Sequence, residues 1–140
     1  MPLHVLELED ILVRILLVDD NHLVRKSLRR LLEQHDDWRV CGEASNGREA
    51  VKRFQQLNPD LVLLDFKMPE MNGLEAAREI ASRANVPILL VTMFLTDQLK
   101  DAARQAGVTG ACAKEQVSCV VRAVEAVLRH EPYFTTQSAA

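Results

Sequence analysis

Short, continuously apolar runs alternate with helix-spaced patterns from about residue 13 to residue 130, and this alternation constrains the fold more than anything else in the chain. Val13-Arg14-Ile15-Leu16-Leu17-Val18, Leu61-Val62-Leu63-Leu64 and Ile88-Leu89-Leu90-Val91 are rich in Val, Ile and Leu. Strands buried on both faces of a parallel sheet read in this way. Val40-Cys41 marks a short second strand, and Gly110 to Ala113 a short fifth one. Behind the first run, Leu23, Val24, Leu28, Leu31 and Leu32 repeat at helical spacing, with Asn21 as the cap. Asn46 with Glu49, and Asn72 with Glu75, carry the capping-box signature. The first opens a helix with Ala50, Val51, Phe54 and Leu57 inward, stopped by Asn58-Pro59; the second opens a helix through Ala84. A helix from about Thr96 ends at Gly107, the residue type favoured just past a helix end. The last helix carries Val117, Val120, Val121, Val124, Val127 and Leu128 on one face. Five β-then-α units predict a parallel sheet wrapped by helices on both sides.

Polar residues fall where these strands end. Asp19 and Asp20 follow the first run, Asp65 the third, Thr92 ends the fourth, and Lys114 follows the fifth. In an open α/β sheet, ligands gather just beyond the carboxyl ends of the strands. Three carboxylates collected there would repel one another unless a cation joined them. Hard oxygen ligands suit Mg²⁺, which prefers carboxylates, carbonyls and retained waters. A hydroxyl and an ammonium beside it can neutralise and orient the oxygens of a transferred phosphoryl group. The carboxylate nucleophile would then be Asp65, forming an acyl phosphate.

The bulk properties set limits. A chain of 140 residues is one domain, long enough to bury a core without staples. Its net charge of -3 provides no basic face for nucleic acid, so any DNA binding belongs to a segment outside this chain. Three cysteines, with no C-x-x-C pairing, argue against a disulfide framework or a zinc site and suit a reducing cytoplasm. No apolar stretch approaches the roughly 18 residues that span a bilayer, and Met1-Pro2-Leu3-His4 lacks the basic region of a signal peptide. Residues 1–12 read as an N-terminal extension, and residues 131–140 as the start of a linker or a C-terminal tail.

The segments Ile15-Leu16-Leu17-Val18-Asp19-Asp20, Leu64-Asp65-Phe66-Lys67-Met68-Pro69-Glu70-Met71-Asn72-Gly73, Val91-Thr92 and Ala106-Gly107-Val108-Thr109-Gly110-Ala111-Cys112-Ala113-Lys114 together resemble the receiver domain of bacterial two-component response regulators. The resemblance covers residues 13–130. It implies a flavodoxin-like (CheY-like) doubly wound sheet of five strands, order 2-1-3-4-5. It also implies that Asp65 accepts a phosphoryl group from a phosphohistidine on a sensor histidine kinase. Asp20 would bind Mg²⁺ directly, Asp19 mainly through water, and the backbone carbonyl of Lys67 would complete the protein ligands. Lys114 would contact the phosphoryl group and Thr92 would swing toward it. The chain would thus be a signalling phosphoacceptor, not an enzyme with an external substrate.

Two positions depart from the pattern. Ala111 stands where the family usually has its switch aromatic, and Glu115 stands where many receivers have proline. Lys114-Glu115 and Arg129-His130-Glu131-Pro132-Tyr133-Phe134 look more like the subgroup attached to LuxR/NarL-type DNA-binding domains. That subgroup implies transcriptional output through a helix-turn-helix domain absent from this chain, and a phosphorylation-dependent homodimer. The alternative is a stand-alone or atypical receiver acting as a protein-interaction module, with Ala111 marking altered switching. An Mg²⁺-dependent phosphatase with an aspartyl nucleophile fits poorly, because the second acid it needs two residues on is Lys67. Around the site, Phe94 reads as a packing residue or as a shield of the phosphoryl group from water, and His22 and Trp38 as structural or exposed. Cys112 and Cys119 read as ordinary thiols.

Overall fold

A computed structural model describes residues 12–134. The branched apolar runs become β1 (Val13–Val18), β3 (Leu61–Leu64) and β4 (Ile88–Thr92), and they occupy the middle of one sheet. β3 and β4 are buried at every position. β2 (Trp38–Ala44) and β5 (Gly110–Ala113) flank them. The order is β2-β1-β3-β4-β5-β6 and every pairing is parallel. This is the expected doubly wound topology, with two differences at its margins.

β2 runs to seven residues, well beyond Val40-Cys41. It is an edge strand, so Arg39 and Glu43 sit among its apolar residues without interrupting the pairing, and the apolar run is hidden. The second difference is β6 (Tyr133–Phe134), inside the segment read as a linker. Tyr133 pairs with Gly110 and Phe134 with Ala111. Two residues are too few to show a period, but both are strong β-formers and they cover the outer edge of β5.

Among the described residues, five helices wrap the sheet: α1 (His22–Leu32), α2 (Gly47–Leu57), α3 (Gly73–Arg83), α4 (Asp97–Gln105) and α5 (Val117–Leu128). Alternate strand residues face opposite sides, so the sheet divides two cores. Leu16, Val18, Val62, Leu64 and Leu90 meet Ala50 and Phe54 of α2, Ala77 and Ile80 of α3, and Ala103 of α4. Ile15, Leu17, Leu63, Leu89 and Val91 meet Leu28 and Leu32 of α1 and Val120 and Val124 of α5. Two residues placed on inward faces by their spacing instead point outward: Leu23 is 69% exposed and Val117 53%. Both lie in the first turn of their helices, beside the strand ends, where the helix has not yet settled over the sheet.

The caps explain where helices begin. The Asn21, Asn46, Asn72 and Thr96 side chains accept from the amides of Val24, Glu49, Glu75 and Leu99. Only at Asn72 and Glu75 is the reciprocal bond of a full capping box present; Glu49 takes the Ser45 hydroxyl. Gly107, at φ 94°, ends the α4 turn in a conformation that glycine adopts without strain.

Candidate functional site

Because the strands are parallel, their carboxyl ends share one edge, and the register fixes which residues meet there. Val18 is paired with Leu64, so Asp19 and Asp65 are lateral neighbours. The Asp65 amide donates to the Val18 carbonyl at 3.0 Å. Thr92 is paired with Ala113, and the Lys114 amide donates to the Thr92 carbonyl at 2.9 Å. Four strands thus deliver the five polar residues picked out by their positions.

Asp19 and Asp65 are buried, 1% and 5% exposed, whereas Asp20 is exposed. One carboxylate oxygen from each of the three lies within 4.8 Å of the others. The Lys114 ammonium sits among them, 2.6 Å from Asp19 Oδ2 and 3.0 Å from Asp65 Oδ2. The free oxygens find backbone donors: the Asn21 amide on Asp19 Oδ1 at 2.9 Å and the Phe66 amide on Asp65 Oδ1 at 2.8 Å. Burial pushes the Asp65 carboxyl above its ordinary value, against the Lys114 hydrogen bond and charge that pull it down. Burial also works against the Lys114 ammonium, but the hydrogen bonds and charges of Asp19 and Asp65 outweigh it and raise its pKa.

This donor set is all oxygen, contains no thiol or imidazole, and fits a hard cation such as Mg²⁺. A cleft of about 600 Å³ opens over it, lined by Asp20, Asp65, Lys67, Thr92, Phe94 and Lys114 among others. Asp19 lies beneath that floor. Thr92 is 5% exposed. Of the two readings of Phe94, packing fails: it is 79% exposed at the cleft wall, next to Met93 at 53%. The core position in that loop is taken by the following residue, Leu95, 4% exposed.

The β3–α3 loop is held tightly against Asp65. The Gly73 amide donates to the Phe66 carbonyl at 2.8 Å, and a β-carbon on Gly73 would run into the Asp65 carbonyl oxygen. Met68 is buried, and Glu70 adopts a left-handed φ of 66°. Arg25 is a feature the sequence did not mark. Its guanidinium donates to the Asp19 carbonyl at 2.6 Å and to Glu43 at 3.0 Å. Glu43 lies 18 residues away on β2, a separation that no local pattern reveals.

Other residues prove structural. Trp38 is buried and stacks on His35 at 3.9 Å, and His22 is exposed. Cys112 and Cys119 are buried in the α1/α5 core, where burial raises the Cys112 thiol. Ala111 is fully buried on the α2/α3/α4 side, and its strand partner Phe134 packs half-buried against the same core, with the Arg104 guanidinium 4.2 Å over the ring. Among the described residues, no helix is long and apolar enough to cross a membrane.

Known proteins share this arrangement. Residues 15–125 match the family described as the response regulator receiver domain. Transcriptional regulatory protein YdfI of Bacillus subtilis is 38% identical over 105 residues, 75% of this chain and 49% of that protein. Response regulator UvrY of Escherichia coli is 39% identical over 130 residues, 91% of this chain and 60% of that protein. The crystal structure of a LuxR-family two-component response regulator from Aurantimonas sp. SI85-9A1 superposes with a TM-score of 0.84 at 33% identity, covering 87% of this chain and 89% of that one. The chain therefore spans half to three-fifths of the length of these two curated relatives.

Proposed function

This chain belongs to the response regulator receiver domain family, and from that premise we propose that it is a phosphorylation switch with Asp65 as its phosphoacceptor. One observation carries the reading: Lys114 joins Asp65 to Asp19 inside a cluster of three carboxylates at the strand ends. A buried carboxylate bonded to an ammonium, under an open cleft, is equipped to take up a phosphoryl group and have the new charge met.

In that reaction an Asp65 carboxylate oxygen attacks the phosphorus of a phosphoimidazole on a sensor histidine kinase. The O–P bond forms, the P–N bond breaks, and the electron pair returns to the imidazole nitrogen, which takes a proton from solvent. Asp19, Asp20, Asp65 and the Lys67 carbonyl would hold Mg²⁺, whose charge, when bound, offsets that of the phosphoryl oxygens. Lys114 leaves its carboxylate partners for a phosphoryl oxygen, and the Thr92 hydroxyl turns to another. These contacts exist only in the phosphorylated state, so they bias a two-state equilibrium. The roles are signalling ones: the phosphoryl group is carried, and turnover is confined to its own loss by hydrolysis.

Output is transcriptional in this reading, through a helix-turn-helix domain outside this chain, supported by the partial coverage of YdfI and UvrY and by the LuxR-family structure. A phosphorylation-dependent homodimer and a cytoplasmic setting go with it. Ala111 supports one variation: with no ring there, movement passes through the backbone of the loop after Thr92. The test is Mg²⁺-dependent labelling of the chain by acetyl phosphate. Wild type takes up one phosphoryl group and Asp65→Asn takes up none. Equal labelling of Asp65→Asn would sink the assignment.

A further inference from the structure

Asp20 is exposed, and its carboxylate makes no hydrogen bond or ion pair with any described residue. Its two neighbours at the site are fixed differently: Asp19 by Lys114 and the Asn21 amide, Asp65 by Lys114 and the Phe66 amide. Among the described residues, it is therefore the backbone that places Asp20. The peptide that carries it begins at the Asp19 carbonyl, and Arg25 Nη1 donates to that oxygen at 2.6 Å. Arg25 is in turn anchored: its Nε donates to Glu43 Oε1 at 3.0 Å, and Arg29 Nη1 holds the other Glu43 oxygen at 2.6 Å. The Arg25 side chain is only 15% exposed. A planar guanidinium bound at two points on α1's flank is a rigid strut between β2 and the β1–α1 loop.

We propose that Arg25 is a positioning residue for the divalent-cation site, acting through the Asp19–Asp20 peptide to hold the Asp20 carboxylate toward Asp65. The inference rests on the proposed Mg²⁺ site and adds to it a residue that touches neither cation nor phosphoryl group. Outer partners that orient metal ligands are commonly worth 10- to 100-fold in affinity. The sign is informative. Arg25 is a cation near a cation site, so on charge alone its removal would tighten Mg²⁺ binding. A positioning role predicts the opposite.

The experiment is Mg²⁺ titration of the unphosphorylated chain at constant ionic strength, read by the amide shifts of Asp20 and its neighbours and needing no phosphodonor. Arg25→Gln should bind about 10-fold more weakly than wild type. Arg25→Lys, which keeps the charge and can reach the Asp19 carbonyl or Glu43 but not both, should fall between them. Circular dichroism checks folding, and if Arg25→Gln unfolds, Arg25→Lys carries the comparison. Wild-type or tighter Mg²⁺ binding by the folded variants would overturn the positioning role. A wild-type chain that shows no Mg²⁺-dependent shift at these amides would instead overturn the site itself, and the two failures are distinguishable in one titration.

Discussion

Lys114 and Asp65 meet at 3.0 Å although they stand 49 residues apart in the chain. The same ammonium is closer still to Asp19, at 2.6 Å. One ammonium thus bridges two buried carboxylates that would otherwise face each other, and on the proposed mechanism it is the group that lets go on phosphorylation.

Removing that group should be costly. Lys114→Met leaves Asp19 and Asp65 buried without their cation, and breaking a buried pair from one side typically costs about 3–5 kcal/mol. Urea denaturation near neutral pH, without divalent ions, should show a loss of about 3 kcal/mol. Added Mg²⁺ should recover more stability in the variant than in wild type. Unchanged stability would mean that the pairing contributes nothing.

Asp65 itself makes stability depend on pH. Its carboxyl is raised by burial in the folded chain, so the folded state holds that proton to higher pH than the unfolded state does. Its contribution is fully present below the ordinary carboxylate value of about 4 and is lost as pH rises through the raised one. Asp65→Asn lacks this loss. Thermal melts without Mg²⁺ should therefore show the variant gaining on wild type as pH rises from about 3 toward neutrality. A gap that moves the other way would place the charged form of Asp65 as the favoured one.

Gly73→Ala tests how closely helix α3 presses on Asp65. Helix propensity alone favours alanine by about 1 kcal/mol. The added methyl would strike the Asp65 carbonyl oxygen, which is backbone and cannot turn aside. A net destabilisation of about 2 kcal/mol is expected, accompanied by slower phosphoryl uptake because Asp65 is displaced. A variant as stable and as readily labelled as wild type would show that the loop yields freely.

Glu70 points the other way. It holds a left-handed φ of 66°, at a cost of about 1 kcal/mol for a residue with a β-carbon. Glu70→Gly should relieve part of that strain, and equilibrium unfolding should register up to about 1 kcal/mol of added stability. A loss of stability would imply that the Glu70 side chain carries a compensating contact.

Much of this was legible beforehand. Val18, Leu64, Val91 and Ala113 each end an apolar run, and a parallel sheet must bring the residues after them to one edge. Asp19, Asp20, Asp65, Thr92 and Lys114 were therefore readable as a group. The Asn72–Glu75 box was readable because capping is local. What escaped depended on distance or on edges. Arg25 meets Glu43 only after β2 has folded beside β1. Phe94 and Val117 are apolar yet exposed, because a loop or a first turn need not follow the core's period. β2 and β6 border solvent, so their mixed or very short sequences carry no apolar run.

The pairing of Tyr133 and Phe134 with Gly110 and Ala111 has a practical side. A recombinant fragment stopped at residue 130 would leave the β5 backbone groups unpaired along an apolar margin, an invitation to edge-to-edge self-association. Fragments that retain Phe134 should stay monodisperse at concentrations where the shorter ones precipitate.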